Sequence, residues 1–128
     1  MGHALGGFFH ISHGKSVGLY LPYTMEYLAE AGAEVYAEAA RFIGLEGKND
    51  LELTRGLIRG IKDIARHLGQ PSSVKELHIE KAAYEKALPE MVERAIGEAT
   101  TPTVLRIPDE KDMERMFLYA YEGKTIDF

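Results

Sequence analysis

NDLELTRGLIRGIKDIARHLGQP, residues 49–71, carries the clearest periodicity in the chain. Leu57, Ile58, Ile61, Ile64, Ala65 and Leu68 recur at i, i+3, i+4 and i+7 spacing with charges opposite, as in a helix that presents one apolar stripe. Asn49 or Asp50 caps its start, while Gly69 followed by Pro71 ends it, so a helix is predicted from about Asp50 to Leu68.

Similar stripes lie on both sides. Met113, Met116, Phe117, Ala120 and Tyr121 follow Pro108-Asp109, where Asp109 is the predicted N-cap, with Asp112 three residues on and Gly123 as the stop. Glu34 to Ile43 is a further helix, ended by Gly44. Glu80 to Leu88 and Pro89 to Ala99 read as two shorter helices, because proline suits a first turn better than a helix interior. Met91, Val92, Ala95 and Ile96 mark the buried face of the second.

The run from Val17 to Leu28 fits two patterns. Val17, Leu19, Leu21 and Tyr23 alternate like a strand, whereas Leu21, Met25 and Leu28 fit a helix; an interior helix, apolar nearly all round and bent at Pro22, is the preferred reading. Residues 100–108, TTPTVLRIP, suit an extended connector. Helical periodicity thus dominates after residue 15 and no repeat is visible, which predicts an all-α, bundle-like fold.

With 128 residues the chain is one domain's worth of sequence. Its net charge of -5 and lack of basic runs argue against nucleic-acid or anionic-membrane partners and favour small molecules or proteins. There is no cysteine, so a metal would be held by His, Asp or Glu; with no signal peptide in view, a cytoplasmic location is expected. Leu19 to Leu28 is the most apolar run and falls well short of the ~20 residues that a bilayer span requires.

The chain opens with MGHALGGFFHISHG, residues 1–14, which places His3, His10 and His13 within eleven residues. Imidazole is the commonest metal ligand and a proton shuttle near neutral pH, but a catalytic metal needs about three protein ligands. His10 and His13 can supply two only where the backbone is helical or turned; otherwise these are solvated terminal histidines. Gly2, Gly6, Gly7 and Gly14 lack the spacing of a dinucleotide-binding loop. Glu26, Glu30 and Glu34 recur every four residues and read as a solvated helical face. His67 is expected at a helix C-terminus and His78 at the surface, while Tyr20, Tyr23, Tyr27, Met113 and Met116 are expected to pack the core.

HALGGFFHISHG, followed by the LYLPYTMEYL run, resembles the active-site signature of the iron-containing (group III) alcohol dehydrogenases. In that family a His precedes a Leu-Gly pair and a second His-Gly follows ten residues later. The end of the chain, TPTVLRIPDEKDMERMFLYAYEG, is similar to the family's C-terminal segment, although Thr101-Pro102-Thr103 stands where the family has an Asn-Pro-Arg loop. The resemblance covers essentially all 128 residues but only part of a family member.

The resemblance implies a helical domain holding one divalent metal, usually iron or zinc, beside an N-terminal α/β domain that binds NAD(P). Residues 1–128 would form a single partial helical domain, its later part. By the same resemblance His13 matches a metal ligand and His3 a proton-relaying histidine near the nicotinamide, while His10 matches no family ligand and is the lesser alternative. The other three family ligands, an Asp and two His, would precede Met1. In the complete enzyme the metal would polarise the alcohol oxygen while hydride passes to the nicotinamide.

Three expectations follow. The chain is the C-terminal part of a metal-dependent, NAD(P)-linked alcohol dehydrogenase, inactive alone and completed by an N-terminal dehydrogenase half in trans. Alternatively it is a non-catalytic helical module that interacts or oligomerises through faces the absent domain would cover. Least favoured is a homodimer in which His10 and His13 of both copies make a four-ligand site.

Overall fold

The computed structural model describes all 128 residues, and they form six α-helices and two short 3-10 turns, with no strand. The helices are α1 (Gly2–Phe9), α2 (His13–Leu28), α3 (Ala33–Phe42), α4 (Asp50–His67), α5 (Lys81–Ile96) and α6 (Glu110–Glu122). The all-α expectation holds. No helix is long and apolar enough to cross a membrane.

The predicted signals at the ends of α4 and α6 act as read. Asn49 Oδ1 accepts from the Glu52 amide at 2.9 Å, and Asp109 Oδ1 accepts from the Asp112 amide at 2.8 Å. Gly44, Gly69 and Gly123 each take a positive φ, of 80°, 69° and 75°, just past the ends of α3, α4 and α6.

Three elements differ from expectation. Residues 81–96 form one helix running through Pro89 rather than two. Pro89 and Glu85 both lie on its exposed side, so the Glu85 carbonyl loses its partner on the solvent side of the helix, while Tyr84, Leu88, Met91, Val92 and Ala95 keep one continuous buried stripe. The N-terminal residues form α1, which the density of glycine conceals. TTPTVLRIP opens as a 3-10 turn at Thr101–Thr103 and becomes extended only at Val104.

The main core lies among α1, α2, α5 and α6, a cluster of 18 buried residues in which Leu5, Leu19, Tyr20, Tyr84, Met91 and Phe117 are almost fully enclosed. Its tyrosines are tied as well as packed: Tyr20 and Tyr84 share a hydroxyl hydrogen bond of 3.0 Å, and Tyr84 donates to the Phe117 carbonyl at 2.9 Å. Tyr20 meets the edge of Phe117 at 5.5 Å. No buried side-chain polar atom lacks a partner.

Helices α3 and α4 form a hairpin beside this bundle. Ala37, Ala40 and Leu53 pack between them, while Met25 and Ala29 of α2 pack on Ile58 of α4. Of the six stripe residues that announced α4, only Ile58 is buried; Ile64 and Leu68 are exposed, Leu68 to 81%. At the end of α4 contact with α2 runs through Ala65, Arg66 and Gln70, whose side chain donates to the Lys15 carbonyl at 2.6 Å, and Ile64 and Leu68 are left exposed.

Candidate functional site

Two close helix approaches assemble the site. A Cβ on Gly2 would stand 2.8 Å from Val17 Cγ2 and 2.9 Å from Val17 Cα, and one on Gly6 would stand 3.1 Å from the Ile11 carbonyl oxygen and 3.2 Å from Ser16 Oγ. Glycines four residues apart therefore let α1 lie directly on α2, while Ala4 and Leu5 bury themselves in the core. The result is that His3, the second residue of α1, faces His13, the first residue of α2.

Between the two helices the chain reverses at His10, which takes a left-handed conformation (φ 54°) as the C-cap of α1. Ser12 then turns into α2, and the fully buried Ser16 donates to the His13 carbonyl at 3.1 Å, fixing the backbone that carries the imidazole. Three histidines close in sequence are thus sorted: His3 and His13 converge, and exposed His10 hydrogen-bonds to neither.

His3 Nε2 lies 2.9 Å from His13 Nε2, with the ring centroids 5.0 Å apart. On the other edge of the same ring, His3 Nδ1 lies 3.0 Å from Glu98 Oε1, just beyond the end of α5. Glu98, His3 and His13 form a line of three proton-handling groups, from the segment just past α5 and from the starts of α1 and α2. The packing of α1 between α2 and α5 brings them together. His3 is 57% exposed and Glu98 34%, so the line lies open at the edge of the bundle.

The two Nε2 atoms stand 2.9 Å apart, a hydrogen-bond distance shorter than the ~3.3 Å that separates two tetrahedral ligands of one cation at ~2.0–2.1 Å. They are two donors, and no cluster of three or more His, Asp or Glu side chains able to hold a metal gathers in this chain. The residues present therefore fit a divalent cation as part of a larger donor set. Val17 and Leu21, one and two turns beyond His13 on the same side of α2, are also exposed and extend an apolar strip away from the imidazoles.

Other candidates fall into structural roles. Glu26 is not on a solvated face: its side chain is 8% exposed, pairs with Lys62 of α4 and accepts from the Ile126 amide at 3.0 Å. It pins α2, α4 and the C-terminal tail together, whereas Glu30 and Glu34 remain at or near the surface. His67 bonds the Asp63 carbonyl in the last turn of α4, and His78 is an exposed left-handed cap. Glu98 was not visible from sequence, because 95 residues separate it from His3 and no spacing rule links them.

Among known proteins, the family description "Fe-containing alcohol dehydrogenase family, C-terminal" matches residues 1–121. The NADPH-dependent butanol dehydrogenase of Clostridium saccharobutylicum is 33% identical over 128 residues, taking in 100% of this chain and 33% of that protein. The 1-propanol dehydrogenase PduQ of Citrobacter freundii is 30% identical over 118 residues, 89% of this chain and 32% of its own. A crystal structure of 1,3-propanediol oxidoreductase superposes with a TM-score of 0.82 at 25% identity, over 93% of this chain and 31% of that one. This chain spans about a third of the length of the relatives it matches.

Proposed function

The chain belongs to the Fe-containing alcohol dehydrogenase family, matching its C-terminal region, and from that premise we propose that it supplies the helical part of a metal-dependent, NAD(P)-linked alcohol dehydrogenase site. The observation that carries this reading is the convergence of His3 and His13 at 2.9 Å on the open edge of the bundle. His13 offers its Nε2 lone pair as one ligand of a divalent cation, iron or zinc. His3 takes up or passes on the proton of the alcohol hydroxyl. When bound, such a cation supplies electrophilic stabilisation of the negative charge that develops on the alcohol oxygen.

One imidazole does not make a selective metal site, since ligand number and geometry supply most of the selectivity. The remaining ligands and the nicotinamide-binding surface come, on this reading, from an N-terminal dehydrogenase half. The exposed strip of Val17 and Leu21 beside His13 supports an apolar surface meeting the site from outside. The chain alone is therefore expected to be inactive. A cytoplasmic location accompanies this reading, because the reaction draws on the intracellular nicotinamide pool.

The test is co-expression with the N-terminal two-thirds of the Clostridium saccharobutylicum butanol dehydrogenase, followed by an assay of butanol-dependent NAD(P) reduction. The expected outcome is a co-purifying pair whose activity disappears in His13→Ala. A co-purifying pair that reduces no cofactor with short primary alcohols would overturn the reading.

A second reading has its own observation. On α3, Val35 and Phe42 are exposed, Phe42 to 91%, with Ile43 beside them just past the helix end. Exposed apolar side chains of this size along one helix support self-association as a non-catalytic module. Light scattering of the chain alone, with Phe42→Ser as control, tests this: an oligomer that the substitution dissociates supports it, and a monomer at all concentrations rejects it.

A further inference from the structure

The least expected partner in the site is Glu98. We propose that Glu98 is the positioning residue that sets the tautomer of His3, directing its proton-accepting nitrogen toward His13. The proposal rests on the reading above that His3 handles the alcohol proton, and it assigns the direction in which that proton moves.

The argument begins with the hydrogen-bonding capacity of each group. An ionised carboxylate only accepts, and a neutral imidazole carries one N–H and one bare nitrogen. With Glu98 Oε1 3.0 Å from His3 Nδ1, the hydrogen belongs on Nδ1. Nε2 is then the bare nitrogen and accepts, at 2.9 Å, the hydrogen that His13 carries on its own Nε2, a hydrogen that a cation bound at that atom would displace. The only other side-chain hydrogen bond of His3, to His13, can run in either direction, so it is the contact with Glu98 that decides which nitrogen of His3 carries the hydrogen. The contact that fixes one ring nitrogen of a histidine commonly determines what the other can do.

The surroundings keep Glu98 available for this role. The nearest cation on its own helix, Arg94, is engaged elsewhere: it bonds Glu90 at 2.7 Å and lies over the Phe8 ring at 4.6 Å. The Met1 ammonium, the other positive group that feels the Glu98 charge, forms no ion pair with it within bonding distance. Of the ten ion pairs in the structure, Glu98 takes part only in the one to His3. Glu98 also follows Gly97, the C-cap of α5, so its position is set by a helix that is itself anchored in the main core through Met91 and Ala95.

One consequence is a distinct fate for each substitution. Glu98→Gln keeps an accepting oxygen at about the same place, so the His3 tautomer survives although the charge does not. Glu98→Ala removes the acceptor and frees the ring to carry its hydrogen on Nε2, where it would point a donor rather than a lone pair at the site.

The experiment is long-range proton–nitrogen correlation NMR of the histidine rings in the whole 128-residue chain, at a pH where the imidazoles are neutral, comparing wild type, Glu98→Ala and Glu98→Gln. His3 is expected to carry its hydrogen on Nδ1 in wild type and in Glu98→Gln, and to shift toward Nε2 in Glu98→Ala. The same tautomer in wild type and Glu98→Ala would overturn the proposal. In the co-expressed pair, Glu98→Ala should lower kcat by about 10- to 100-fold, with KM little changed and with recovery in Glu98→Gln. An unchanged kcat would also overturn it. Because the NMR readout needs no metal, partner or turnover, an inactive pair would count against the dehydrogenase reading while the tautomer still decides the role of Glu98.

Discussion

The bundle of α1, α2, α5 and α6 and the α3–α4 hairpin contrast in how they are held. One unbroken cluster of 18 buried residues runs through the bundle, whereas the hairpin relies on two clusters of three. Helix α4 has the clearest amphipathic pattern in the chain, yet only Leu53, Thr54 and Ile58 of its 18 residues are buried. Helix α1 shows almost no pattern and seats Leu5 at the centre of the core. An apolar stripe therefore states that a surface is available for packing; the neighbours present decide whether it is covered. The site histidines sit on the well-packed side, at its open edge.

The sharpest way to break the contrast is to hollow each region in turn. Phe117→Ala, in the middle of the bundle, should cost about 3–5 kcal/mol, and urea denaturation should show the whole chain destabilised. Leu53→Ala should cost about 2–3 kcal/mol, with hydrogen exchange accelerating mainly in α3 and α4. Equal loss of protection throughout in both variants would show that the two regions form one cooperative unit.

Alkaline pH separates the regions by chemistry. Burial raises the phenol pKa of Tyr20, Tyr23, Tyr27 and Tyr84 in the bundle, Tyr23 and Tyr27 to about 12. After burial, the Glu26 and Glu76 charges add to the effect on Tyr23, and the hydrogen bond to Asp112 adds to it on Tyr27. Tyr36 is the hairpin's one raised phenol. These groups stay protonated when folded while an unfolded chain ionises near 10, so their stabilisation is complete below about pH 10 and is lost as pH rises toward 12. Ultraviolet titration should show tyrosine ionisation delayed and then cooperative with loss of helical circular dichroism. A smooth ionisation near pH 10 would contradict the packing described.

Glu26→Ala tests the joint between the regions. It leaves the partly buried Lys62 unpaired and removes the acceptor of the Ile126 amide, for an expected cost of about 1–3 kcal/mol. The hairpin should open more readily in hydrogen exchange while the Tyr20–Tyr84 region keeps its protection. Smallest is Asn49→Ala, which removes the α4 cap at about 1 kcal/mol and should move the thermal midpoint by only a few degrees.

Much of this was legible in the sequence. The caps of α4 and α6 and the stops at Gly44, Gly69 and Gly123 are local chemistry and were read from single residues. His3 and His13 were singled out through the family resemblance, each with its own role, but their approach to 2.9 Å was not readable there. Other features depended on contacts far apart in the chain. Gly2 and Gly6 look like helix breakers until α2 is laid against them, and Pro89 looks like a boundary until it and Glu85 are seen on the exposed side of one helix. Glu26 reads as a surface charge until Lys62 and the tail arrive, and Glu98 carries no signal at all before α5 packs on α1.

The most direct test is divalent metal content, by plasma mass spectrometry, of the chain assembled with a complementary N-terminal dehydrogenase half, in wild type and in His13→Ala. About one metal per assembled pair in wild type, lost in His13→Ala and retained in His10→Ala, is the result expected if His13 is a ligand and His10 a turn residue. Metal bound equally well in wild type and His13→Ala would contradict the central claim that this helical domain contributes a ligand to the site.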